Sequence, residues 1–182
     1  MKKIAACALL ACVTATFLSN LAQGSETTPL PGTVLAGQGT MRFFGLEVYQ
    51  ARLWVSPGFA PERYGDKPLA LALTYQRNFT AQAIAKRSIE EMRRVAPFSA
   101  EQAERWQAAL QAALPDVKPG DTLTGIYRPG GGAVFRMGDK VVGEVADPEF
   151  ARLFFGIWLS PNTSEPALRQ ALLASRSTAG SP

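Results

Sequence analysis

Short segments with a two-residue period, separated by glycine and proline, constrain this chain more than any other feature of its sequence. In residues 47–55, successive side chains divide into two alternating sets that contain β-branched and aromatic members. A period near two is that of a β-strand, whose side chains point alternately to its two faces. Six other segments carry similar signals and are predicted as strands: residues 33–36, 40–44, 69–75, 122–127, 133–137 and 141–145.

The glycines near the first strands suggest a nucleotide-binding loop, but the pattern does not fit one. Gly37 and Gly39 occupy the first and third positions of the dinucleotide fingerprint, whereas the sixth position, which requires glycine, is Arg42. A strand pattern, not a helix pattern, follows. The chain also has no Gly-Lys-Ser or Gly-Lys-Thr, so a P-loop is excluded. We therefore interpret Gly37, Gly39 and Gly45 as turns and bulges of a β-meander.

Four segments carry helix signals, and they occur in two pairs. Asp147-Pro148 combines an N-cap residue with a proline at the first helical position. Ser99 has Gln102 three residues on, as in a capping box. The helices are predicted over residues 81–95, 99–114, 147–158 and 162–174, with caps at 78–80 and 162–164.

The order of these elements is strands, two helices, strands, two helices. Antiparallel strands with segregated helices indicate the α+β class, a sheet covered on one face by a layer of helices. No internal repeat or second domain is evident. We predict a signal peptide over residues 1–24, one domain over residues 25–175, and a disordered tail over residues 176–182.

The N-terminus has the three-part layout of a secretory signal. Lys2 and Lys3 precede an uncharged, largely apolar run over residues 4–18, and small and polar residues follow. Cleavage is expected after Gly24 or Ala22. Processing as a lipoprotein at Cys12 is an alternative, because a Leu-Leu-Ala sequence precedes it. No later segment is apolar enough over about 20 residues to span a bilayer, and the protein is expected to be periplasmic or secreted.

Composition narrows the chemistry further. Both cysteines lie inside the predicted signal, and the chain contains no histidine. Histidine is the commonest general base, the usual partner of a nucleophilic serine and a frequent zinc ligand, so we expect no metal and no cofactor. Loss of Lys2 and Lys3 lowers the formal charge from +4 to +2 and leaves no basic run. We therefore expect no nucleic-acid partner.

The first testable prediction concerns processing. Intact mass measurement of the protein produced in its cell should show a chain that begins after residue 22 or 24 and contains no thiol. A mass that includes Cys12 with an attached lipid would contradict signal cleavage at 22–24 and support the lipoprotein alternative.

Several longer stretches together resemble the chalcone isomerase-like family, in particular its bacterial exported branch. They are GQGTMRFFGLEVYQARLW, LALTYQRNFTAQAIAKRSIEEMRR, TGIYRPGGG and GEVADPEFARLFFGIWLSPNTSEPALRQALL. The resemblance implies an open-faced β-sandwich, in which a large antiparallel sheet lies against a layer of helices. It also implies a ligand cleft between the two layers.

The resemblance implies two kinds of function. Plant chalcone isomerases of this family close a flavanone ring with an arginine, a threonine, a tyrosine and an asparagine. Relatives that are not isomerases hold fatty acids in the same cleft, where the arginine and tyrosine meet the carboxylate. Arg42 matches the family arginine. The other three positions fall on different residue types: on Phe44, near Ala83 or Ile84, and near Glu90 or Glu91.

Two functions come into question, with a structural role among envelope proteins as a third, and the absence of histidine and of the helix tyrosine favours the first. The first is a non-catalytic binding protein for a small amphipathic or aromatic acid such as a fatty acid. The second is an intramolecular lyase or isomerase that acts on a chalcone-like, enone or aromatic substrate. The catalytic residues of such an enzyme are unknown, and Arg87 and Ser88 could face either the sheet or water. The candidate ligand-binding residues are Arg42, Tyr49, Tyr75, Arg87 and Ser88.

Overall fold

Six strands pair in the order in which they occur along the chain. The computed structural model describes residues 28–174, so the predicted signal over 1–24 and tail over 176–182 lie outside the described residues. Each strand is antiparallel to its neighbour, in the sheet order β1-β2-β3-β4-β5-β6. The strands are β1 Val34–Phe43, β2 Leu46–Val55, β3 Leu69–Tyr75, β4 Thr122–Arg128, β5 Gly132–Met137 and β6 Lys140–Val145.

Four α-helices interrupt and follow the meander. They are α1 Ala81–Val95, α2 Ala100–Ala113, α3 Pro148–Leu159 and α4 Pro166–Leu173, and a short 3-10 helix, Pro61–Asp66, lies between β2 and β3. The hydroxyl of Thr80 caps α1, and Ser99 with Gln102 forms the capping box of α2. These starts are as predicted because capping depends on residues three or four apart.

The predicted cap at residues 162–164 is wrong. The N-cap of α4 is Glu165, and no side chain caps this helix. The hydroxyl of Thr163 instead donates a hydrogen bond to the Ile157 carbonyl at 2.6 Å. This bond ties the loop before α4 to the last turns of α3.

The helices cover one face of the sheet, where the main core lies. Alternate strand residues, such as Leu53, Leu71 and Phe135, meet helix residues such as Trp106 and Phe150 in one buried cluster. The opposite face carries a small cluster of Trp54, Ala70, Ala72, Ile126 and Val134, with Leu30 packed on it. The α+β prediction of an antiparallel sheet with one helical layer is confirmed.

Two predicted strands, 33–36 and 40–44, are one continuous strand. The chain bulges between Leu35 and Gly37 and turns at Gly45, as expected, but no turn separates the two segments. Gly37 and Gly39 allow close packing instead. A Cβ atom at Gly37 would lie 2.3 Å from the Ala171 carbonyl oxygen of α4, and one at Gly39 would lie 2.7 Å from Leu168 Cδ1.

Candidate functional site

A cavity of about 500 Å³ lies between the sheet and the helices, at the end where β1 and β2 join. Its walls come from β1, β2, β3, β4, α1, α3 and the loop that precedes α4. Most of the lining side chains are apolar, among them Met41, Leu73, Phe79, Ile84, Leu123 and Ile157. A largely apolar cleft with a few polar groups is the usual form of a small-molecule site.

The strand register places two tyrosines side by side in this cavity. Tyr49 of β2 pairs with Tyr75 of β3, and Met41 of β1 pairs with Tyr49 on its other side. Residues paired across antiparallel strands point to the same face. The two tyrosine rings therefore meet edge to face, with centroids 6.0 Å apart.

Three hydroxyl groups that line the cavity each keep a hydrogen-bonding position that no group of residues 28–174 fills. Trp158 Nε1 donates to the Tyr49 hydroxyl oxygen at 3.0 Å, which leaves the Tyr49 proton without an acceptor among residues 28–174. Within the same residues, the Tyr75 hydroxyl and the Ser88 hydroxyl make no hydrogen bond, although both side chains are buried and line the cavity. Because these hydroxyls remain accessible from the cavity and have unfilled hydrogen-bonding positions, they indicate a place for a polar ligand group.

Both tyrosines are protonated at neutral pH, and burial raises their pKa values above the usual value of about 10. Removal from water is the main cause that raises the pKa of Tyr49 to about 12, although the hydrogen bond from Trp158 opposes it. Burial, with a further contribution from Tyr49, also raises the pKa of Tyr75 well above its usual value. Both hydroxyls can therefore donate a hydrogen bond to a ligand oxygen, and neither can serve as a base near neutral pH.

Arg87 on α1 also lines the cavity, but its charge is already balanced. Its guanidinium lies 2.5 Å from the Glu91 carboxylate and 3.4 Å from that of Glu90. The Glu91 side chain is only 8% exposed and also accepts a 2.7 Å hydrogen bond from Ser164 Oγ. Glu91 thus ties α1 to the loop before α4 and holds Arg87 at the edge of the cavity.

Arg77 is a cavity residue that the sequence analysis missed. It lies two positions beyond Tyr75, the last residue of β3, and is exposed to solvent, and both residues line the cavity. Among residues 28–174 the Arg77 side chain has no acidic partner and no hydrogen bond. No strand period could have revealed it, because Arg77 lies in a bend after β3 and not on the strand itself.

Arg42 lies outside this cavity. Its neighbours Met41 and Phe43 line the cavity, so the side chain between them points away. The Arg42 guanidinium contacts the Glu47 carboxylate at 2.6 Å, and the two side chains are 58% and 42% exposed. Of the five candidate residues, the structure brings together Tyr49, Tyr75, Arg87 and Ser88 and leaves Arg42 on the other side of β1.

The remaining described residues limit the other kinds of site. Within residues 28–174, no cluster of three or more acidic side chains could hold a metal ion. In the same part of the chain, no helix has the length and apolar character needed to cross a membrane.

The fold and cavity together define a class of α+β proteins in which an antiparallel sheet and a helical layer enclose a largely apolar cavity. The chain belongs to the chalcone isomerase-like family, whose model matches residues 27–174. This membership confirms the family that the sequence stretches indicated.

Two further similarities support the assignment of family and fold. An uncharacterized protein of Haemophilus influenzae is 30% identical over 126 residues, which are 69% of this chain and 60% of that protein. The chain therefore matches less than two thirds of that relative's length. The crystal structure of a fatty-acid binding protein of Arabidopsis thaliana is similar with a TM-score of 0.63 at 12% identity, and the match covers 83% of this chain and 91% of that one. At this identity the likeness shows the fold.

Proposed function

We propose that this protein is a non-catalytic binder of a small amphipathic acid, of the fatty-acid type, in the cavity between sheet and helices. The observation that carries the proposal is an apolar cavity lined at its edge by Arg77, a solvent-exposed guanidinium that has no acidic partner among residues 28–174. A carboxylate ligand would complete this site, and its hydrocarbon part would occupy the apolar walls.

The chemistry of the cavity fits such a ligand in two ways. A guanidinium holds a carboxylate with two parallel hydrogen bonds, which are stronger than bonds between neutral groups. The protonated hydroxyls of Tyr49 and Tyr75 can donate to an oxygen of the same head group or to a second oxygen on the ligand. Burial of the hydrocarbon part adds about 25 cal/mol per Å² of apolar surface removed from water.

A similar protein supports the proposed ligand class, and the N-terminus supports the proposed location. The structurally similar Arabidopsis protein, which shares the fold, is a fatty-acid binding protein by name. The charged start and apolar run of residues 1–18 favour export. We therefore propose that binding takes place in the periplasm or outside the cell.

An intramolecular lyase or isomerase activity is less well supported. Such a reaction needs a group that exchanges a proton near neutral pH. The cavity tyrosines have pKa values far above neutrality, which suits hydrogen-bond donation to a bound oxygen. The family positions of the isomerase threonine, tyrosine and asparagine also carry other residue types in this chain.

The test compares two arginines that differ in their relation to the cavity. Arg77→Gln should lower the affinity for a long-chain fatty acid by about tenfold or more, since a charge-assisted hydrogen bond contributes about 1.5–3 kcal/mol. Arg42→Gln should leave the affinity unchanged, because Arg42 points away from the cavity and pairs with Glu47. Calorimetry with a panel of long-chain and aromatic acids measures both.

Thermal melts of each variant serve as the control for folding. A loss of affinity in Arg42→Gln together with full affinity in Arg77→Gln would identify Arg42 as the anchor, as the family resemblance implies, and would contradict the role of Arg77. Absence of binding by the wild-type protein across the whole panel would contradict the proposed function itself.

A further inference from the structure

The turn between β1 and β2 displays apolar side chains to solvent. We call residues Phe43, Phe44, Gly45 and Leu46 the hairpin tip. The relative exposure is 57% for Phe43, 90% for Phe44 and 53% for Leu46. The Phe43 and Phe44 rings contact each other at a centroid distance of 4.5 Å. Large side chains at this exposure leave most of their apolar surface in water, which is unfavourable.

The backbone of the hairpin tip adds a second cost. Phe44 has φ 48° and Gly45 has φ 79°, so both central residues of this two-residue turn are in the left-handed region. Such turns favour Asn-Gly, Asp-Gly or Gly-Gly, because a bulky side chain is strained at positive φ. Within residues 28–174, Phe44 is the only residue other than glycine with a positive φ. A strained and exposed aromatic residue indicates a function that lies outside the fold itself.

The hairpin tip is continuous with the entrance of the cavity. Phe43 and Leu46 are more than half exposed and also line the cavity wall. Whatever covers the hairpin tip therefore lies against the mouth of the ligand site.

The size of the hairpin tip distinguishes between possible occupants. A standard protein interface buries about 800 Å² on each partner. Three partly exposed side chains of at most about 250 Å² each cannot supply that area, so a second copy of this chain or another folded protein would be held weakly. A lipid bilayer requires no complementary shape and accepts a few protruding aromatic and aliphatic side chains.

We propose that the hairpin tip inserts into a phospholipid surface and places the cavity mouth against the lipid acyl chains. The docking depends on Phe43, Phe44 and Leu46 alone. Docking would allow an acyl ligand to pass between bilayer and cavity without crossing water. This second step rests on the proposed function.

The test is flotation of the purified protein with vesicles of phosphatidylethanolamine and phosphatidylglycerol that contain no free fatty acid. The protein is used as its cell produces it, with the N-terminus established by intact mass. Phe44→Asn keeps a turn residue that tolerates positive φ and removes the apolar side chain. It should lower the vesicle partition coefficient by about tenfold or more without lowering the melting temperature.

Val141→Thr is the matched control. Val141 is 56% exposed on β6, at the opposite edge of the sheet from the hairpin, and this variant should change partition by less than about twofold. Fatty-acid binding measured by calorimetry without vesicles should be the same in Phe44→Asn and wild type, because Phe44 is not among the residues that line the cavity.

Three results would overturn the docking proposal. The first is a wild-type protein that does not float with vesicles, and the second is equal partition of wild type and Phe44→Asn. The third is a wild-type dimer in sedimentation analysis that Phe44→Asn dissociates, without vesicle binding, which would make a second copy the occupant. A protein that floats through Phe44 but binds no acid without vesicles would confirm docking and contradict the proposed ligand.

Discussion

Replacement of Gly37 by alanine should destabilise the protein by about 3 kcal/mol or more, at or above the upper end of the range for overpacked cores. The added Cβ would lie 2.3 Å from the carbonyl oxygen of Ala171 and 2.6 Å from that of Leu172. Both are backbone atoms of α4, so no change of side-chain rotamer relieves the contact. The helix would have to move away from β1 and expose Leu168 and Leu172, which are buried.

Urea denaturation measures this effect, and Gly131→Ala is the matched control. Gly131 has a φ that alanine tolerates, and the atom nearest to its added Cβ is Arg128 Cβ at 3.4 Å. The control should change the free energy of unfolding by less than about 0.5 kcal/mol. Equal stability of Gly37→Ala and wild type would mean that α4 does not pack on β1 as the structure shows.

Replacement of Asp147 by alanine should cost about 2–4 kcal/mol of the free energy of unfolding at neutral pH. The Asp147 carboxylate accepts hydrogen bonds from the backbone N–H groups of Glu149 and Phe150, both at 3.0 Å, and caps α3. It also accepts one from Trp106 Nε1 at 2.7 Å. Loss of a cap costs about 1 kcal/mol, and an indole N–H left unpaired on a buried tryptophan costs about 1–3 kcal/mol more.

The same interactions predict a pH dependence. Burial of Asp147 opposes its charged form, but the hydrogen bonds from Phe150, Trp106 and Glu149 together outweigh burial and lower its pKa. A carboxylate with a lowered folded pKa stabilises the fold above its unfolded pKa of about 3.9, and this contribution is lost as pH falls through the folded value. The difference in stability between wild type and Asp147→Ala should therefore narrow below about pH 4.

Asp147→Ser separates the two roles of the residue. Serine remains a good N-cap, but it is too short to keep the hydrogen bond from Trp106. The free energy of unfolding of Asp147→Ser should therefore lie between that of wild type and that of Asp147→Ala. Denaturation of the three proteins at several pH values provides the measurement. An Asp147→Ala variant as stable as Asp147→Ser would show that the cap contributes nothing measurable.

The hydroxyl-bearing part of the candidate site could be predicted from local pattern. Tyr49 and Tyr75 lie on strands with a clear two-residue period, and Ser88 lies on a helix whose start is marked by Thr80. Once these strands are neighbours, their register brings the two tyrosines together. The pairing needed only the correct order of elements.

The position of Arg42 and the role of Arg77 could not be predicted in the same way. A strand has two faces, and a shift of one residue moves every side chain from one face to the other. Which face of β1 meets the cavity depends on where the helices lie, and the bulge between Met41 and Arg42 adds a local change of register. The family resemblance pointed to Arg42 as the ligand-binding residue. In the structure, Met41, Phe43 and Arg77 line the cavity instead.

The sequence by itself determined the class, most of the strands and most helix starts of this protein, because two-residue periods, caps and turn residues act over a few positions along the chain. Only the tertiary structure showed that Gly37 and Gly39 allow α4 to pack closely on β1. Their neighbours Leu168 and Ala171 lie more than 125 positions later in the chain. Close packing of a helix on a strand is set by the space between two distant segments, and no local pattern records that space.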